Sequence, residues 1–159
     1  MKTLSERPAV CVDAFVGLFY RGKILITHLV HVPIFGRSVF FVGGCPAEDA
    51  EEAIYRLRKK RTQVSLTHTA DGCVRDSGGD VFVWVKDLKR ASVVAHELAH
   101  AACTIMEVCG IPQCRETEEI MCYLIGWLKI NVQDKIYTKL ENSKQKENHN
   151  ESDASKNES

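Results

Sequence analysis

His96 and His100 stand four residues apart, with Glu97 beside the first, in the run Val94-Ala95-His96-Glu97-Leu98-Ala99-His100-Ala101-Ala102. On a helix this spacing puts both imidazoles on one face, where they can reach a single metal ion. Zinc suits such a donor set: it accepts neutral imidazole nitrogen, and at catalytic sites it commonly takes three protein ligands and a water. Glu97, one residue further round, can hydrogen-bond that water and serve as general base. The bland alternative is a chance match to a short motif, which the surrounding pattern has to decide.

That pattern is helical. Val94, Leu98, Ala101, Ala102 and Ile105 recur at the spacing of a buried face, Ser92 offers an N-cap hydroxyl, and Gly110 followed by Pro112 closes the element. A helix is therefore predicted over 92–109. The histidine stripe, which also carries Cys103 and Glu107, adjoins the apolar one, so the ion is expected where the helix meets the floor of a cleft. Glu107 lies about 10 Å along the axis from His100, too far to share the ion and better suited to a supporting role. A third ligand must come from another element.

Glu118 and Glu119 open a further apolar helix, 118–132, that can run on to Leu140. Its first turn can fold back beside the histidines if the link after Gly110 is short. Glu119 is preferred as the third ligand because Tyr123, Gly126 and Trp127 share its side and are expected to face the first helix; Glu118 is the alternative. Both carboxylates can instead be ordinary charges at a helix N-terminus.

Upstream, Ala9 to Tyr20 and Ile24 to Val32 read as a β-hairpin around Arg21-Gly22-Lys23, and Ser38 to Val42 as another strand. His28 and His31 fall on opposite faces of a strand and are expected to be ordinary strand residues. Residues 47–61 form a helix that is acidic at its start and basic at its end, the order a helix dipole favours. Residues 62–80 read as polar loop with a weak strand at 63–67 and a Ser77-Gly78-Gly79-Asp80 turn. Val81 to Val85 is a strong strand, and if it lay at a sheet edge an extended peptide could pair with it beside the metal. From Glu141 onward no large apolar residue remains, so a domain over 1–140 and a disordered polar tail over 141–159 are expected.

Composition sets the outer bounds. The chain of 159 residues is 45% apolar and 26% charged with zero formal net charge, ordinary for one globular domain, and carries no basic excess that would draw it to nucleic acid or membrane. Seven cysteines without a C-x-x-C pair, and no apparent secretory signal, predict a reducing cytoplasm.

His96-Glu-Leu-Ala-His100 on a helix, a strand before it and a carboxylate opening the next helix resemble the Glu-liganded zincin metallopeptidases. The run from His96 through Gly110 to Glu119-Ile-Met-Cys-Tyr123 is similar to small zincin-like proteins encoded by bacteriophages and prophages. The likeness covers about residues 80–130. Cys103 and Met106 stand where the three-histidine branch would continue its motif, which excludes that branch. The resemblance implies an α+β fold, a mostly antiparallel sheet of about four strands on about three helices with the motif on the central helix. It implies one Zn²⁺ per chain on His96, His100 and Glu119, Glu97 as catalytic base, a peptide or protein substrate, and host cytoplasm as the location if phage-encoded. Tyr123 and His68 are the candidates to stabilise an oxyanion. The competing expectation is a non-catalytic zincin-fold accessory module with a structural or vestigial metal site.

Overall fold

A computed structural model describes residues 15–20, 23–58, 63–142 and 145. Five strands form one sheet in the order β1-β2-β3-β5-β4, with β1 Phe15–Tyr20, β2 Lys23–Val32, β3 Arg37–Gly43, β4 Gly72–Ser77 and β5 Asp80–Val85. Three of the four pairings are antiparallel and β3 with β5 is parallel. The α+β class is thus observed, with one strand more than expected. Residues 9–14 and the β1–β2 turn lie outside the described residues.

Period-two alternation sends the side chains of the central strands to two cores. On one face Phe40, Val42, Phe82 and Trp84 pack against helix α1, Ala47–Leu57, whose Ala50, Ala53 and Ile54 are buried. On the other, Ile26, Val30, Val39, Phe41, Val81 and Val83 meet helices α2, Ala91–Val108, and α3, Glu118–Leu128. The expected apolar stripe of α2 is fully inside, with Val94, Leu98, Ala101, Ala102 and Ile105 at 2% exposure or less. Ser92 sits within the first turn rather than capping it, since the helix begins at Ala91 with Arg90 in the cap position. Gly110 ends the helix as expected. At φ +71° its N–H bonds the Glu107 carbonyl while Ile111 N–H reaches back to Met106, a left-handed cap that only glycine enters freely.

The stretch 62–80 differs from expectation. Residues 63–67 are not a strand; Gly72–Ser77 is one, folded onto β5 through Gly78 and Gly79, both at positive φ. An edge strand needs only one buried face, so its polar composition hid it. β5 consequently lies between β3 and β4, and among the described residues β4 is one edge of the sheet and β1 the other.

The third helix also departs from regularity. After Leu128 the chain makes a wide π-helical turn, Lys129–Asp134, and resumes as helix over 135–142. The Asn131 side chain donates to the Trp127 carbonyl at 2.9 Å, and buried His28 donates its Nε2–H to the Asn131 carbonyl at 2.8 Å. Such a turn frees a carbonyl that a side chain must satisfy, and His28 does so. His31 points to solvent. Residues 141 and 142, assigned to the tail on composition, continue the helix; 146–159 lie outside the described residues. No helix among the described residues is long and apolar enough to cross a membrane.

Candidate metal centre and its cleft

The turn-and-a-tenth between His96 and His100 brings their Nε2 atoms to 3.0 Å, with ring centroids 4.6 Å apart and the rings near perpendicular. At zinc–nitrogen distances of about 2.0–2.1 Å, two tetrahedral ligands sit about 3.4 Å apart, so the pair converges as a metal would require with little adjustment. Both rings are exposed to a cleft of about 750 Å³ between α2 and β4. Glu97 lies beside them and is only 7% exposed. Burial lifts its carboxyl above the ordinary carboxylate range, opposed in part by the charges of His96 and His100 when protonated.

A glycine of β4 packs closely against Glu97. A Cβ built on Gly72 would stand 2.7 Å from Glu97 Cγ and 3.0 Å from its Cδ and Oε1, so β4 can approach the motif helix this closely only without a side chain there. Gly72, and the strand that carries it, escaped sequence reasoning. The signal was present in Ser77-Gly78-Gly79-Asp80, a two-glycine hairpin turn before a strong strand, which demands a partner strand upstream.

The expected third ligand is not brought to the histidines. α2 and α3 run antiparallel with Cys103 Sγ against Met121 Sδ at 3.8 Å, so the α3 residues abreast of His100 lie about one turn beyond Met121 and Glu119 sits toward the other end. Glu119 and Glu118 are exposed, and no α3 residue lines the cleft. The side shared by Glu119, Tyr123 and Gly126 exists but turns to solvent, Tyr123 being 67% exposed, because Leu124 and Leu128 take the buried side. Among the described residues no group of three His, Cys, Asp or Glu side chains converges. The other carboxylate in the cleft wall, Asp71, is ion-paired with Arg90.

Neither oxyanion candidate reaches the cleft. Tyr123 faces outward, and His68 is held on the α1 side between Glu48 at 2.9 Å and Glu51 at 3.3 Å. Its hydrogen bond to Glu51, with the negative charge of Glu48, raises the His68 pKa.

The chain matches no model of a known protein family, no characterised protein and no solved structure. The likeness to zincins therefore rests on the motif residues themselves.

Proposed function

We propose that this chain is a zincin-like peptidase in which His96 and His100 hold zinc and Glu97 is the catalytic base. The observation that carries the reading is the convergence of two imidazole Nε2 atoms beside a buried carboxylate, all three open to or lining one cleft. Zinc, when bound, supplies Lewis acidity that makes a water a nucleophile near neutral pH. Glu97 takes the proton that water sheds and returns it to the departing amine nitrogen, so no covalent intermediate with the chain is needed. The close approach of Gly72 and the burial of Glu97 keep bulk water from one side of the carboxylate.

The substrate enters as an extended chain along β4. Lys86 N–H bonds the Asp71 carbonyl at 2.8 Å, one step beyond the Gly72–Val85 pair at the end of the ladder, and so continues its register. By antiparallel alternation Cys73 and Arg75 also turn their backbone groups inward, while Gly72, Val74 and Asp76 turn theirs to the free edge. A peptide added there gains main-chain hydrogen bonds and passes the Glu97 end of the strand.

A second reading, a zincin-like module that binds peptide without cutting it, is favoured by one observation: the described residues offer the ion two ligands where catalytic zinc commonly has three. Glu97→Gln separates the two. It keeps shape and loses basicity, so cleavage of an unbiased peptide mixture, followed by mass spectrometry, should fall roughly 10²–10⁴-fold in folded, zinc-loaded protein. Equal cleavage by both proteins rules out the proposed base, and no cleavage by either leaves the binding module as the better reading.

A further inference from the structure

Val74 presents its carbonyl at the centre of the free edge of β4, yet that carbonyl is already engaged. The guanidinium of Arg75 folds around the edge, Nη1 donating to Val74 O at 2.9 Å and Nη2 donating to Thr67 Oγ1 at 2.7 Å. Arg75 is exposed and lines the cleft with His96, Glu97 and His100. Among the described residues its hydrogen-bond partners are all neutral, whereas Arg90 is paired with Asp71 of the cleft wall. A cation that settles for two neutral acceptors keeps further N–H groups for a carboxylate, which adds charge attraction and can be gripped by two parallel N–H groups of the fork.

We propose that Arg75 selects peptides bearing a carboxylate, by exchanging the Val74 carbonyl for that carboxylate and so opening the edge to strand pairing. A neutral peptide has to displace Arg75 from Val74 O and offers it nothing in return. An acidic one gives the guanidinium a better acceptor as its own N–H takes the vacated carbonyl. Antiparallel pairing runs the peptide from Val74 toward Gly72, so the residue beside Arg75 lies about two residues N-terminal to the one beside Glu97. The ligand class is thus an extended peptide with Asp or Glu at that position. In the reverse direction the same guanidinium would meet a chain's terminal carboxylate.

The proposal rests on the peptide-binding part of the function above and not on cleavage, so its test uses capture rather than turnover. Full-length Glu97→Gln protein is immobilised and offered acetylated, amidated hexapeptides carrying one Glu, the same set with Gln, and the Gln set with a free C-terminal carboxylate. Captured peptides are quantified by mass spectrometry. The Glu set should exceed the Gln set by about 2–5-fold, the range of an exposed ion pair. Adding Arg75→Ala should abolish that ratio and raise capture of the neutral set, a crossover that loss of a merely structural contact does not produce. Arg75→Lys, which keeps charge but not the fork, should retain a smaller ratio. Preference for the free-acid set over the Glu set would assign the terminal carboxylate and the reverse strand direction. Equal capture of all three sets, absence of capture, or an unchanged ratio in Arg75→Ala overturns the proposal. Acidic preference without Glu97-dependent cleavage of any peptide would overturn only the peptidase reading, and cleavage without acidic preference only the role of Arg75.

Discussion

Gly72 and Glu97 form the contact on which the proposed chemistry depends, and an added Cβ at Gly72 would force the Glu97 side chain to shift. Gly72→Ala would put a methyl 2.7 Å from Glu97 Cγ, so the carboxylate must move. Its backbone dihedrals are not in the left-handed region, so the substitution strains the side-chain contact and not the strand. Cleavage is expected to drop roughly 10–100-fold, the effect of displacing a catalytic group by about an ångström, while thermal stability changes little. Unaltered cleavage would show that Glu97 is not held by this contact. The motif triad was legible from spacing alone, because a helix fixes the relation of residues four apart. Glu119 was not, because helical spacing alone offers two apolar sides of α3, one with Leu124 and Leu128 and one with Tyr123 and Trp127, and only packing decides that the first is buried. Glu119→Ala should accordingly keep its zinc. Loss of the metal in that variant would mean that α3 turns toward the histidines when the ion binds.

At the scale of elements, the helices and the apolar strands were readable from periodicity, and the polar edge strand β4 was not. Edge strands expose one side and carry charge, which is what a loop also looks like. The segment 63–70 that precedes β4 is tied to α1 by His68 between Glu48 and Glu51, and by Leu66 N–H on Glu51 at 2.7 Å. Because the His68 pKa is raised in the fold, its contribution is fully present below the ordinary histidine range and disappears as pH rises through the raised value. Glu48 is lowered chiefly by its own backbone hydrogen bond, so its share is present above the ordinary carboxylate range and is lost as pH falls through its lowered value. Melting curves of His68→Gln against wild type should therefore differ in mildly acidic buffer and converge in alkaline buffer. A difference independent of pH would contradict the pairing.

Across the whole molecule, the sheet is covered on both faces, and the chain after the π-helical turn closes the second core. Val132 and Ile136 are fully buried there, and Tyr137 donates its hydroxyl to the Leu88 carbonyl at 2.9 Å, next to the start of the motif helix. Ile136→Ala should cost about 2–5 kcal/mol by denaturant unfolding, as other large-to-small core changes do. A cost of a few tenths would mean that 135–142 is not part of the core. The central claim, that this fold exists to hold zinc between His96 and His100 over Glu97, is tested most directly by elemental analysis of full-length protein purified without chelator. About one zinc per chain in wild type, and near none in folded His96→Ala or His100→Ala, is the result predicted. Less than roughly a tenth of an equivalent in wild type after zinc has been supplied, or wild-type zinc content in both histidine variants, would contradict it.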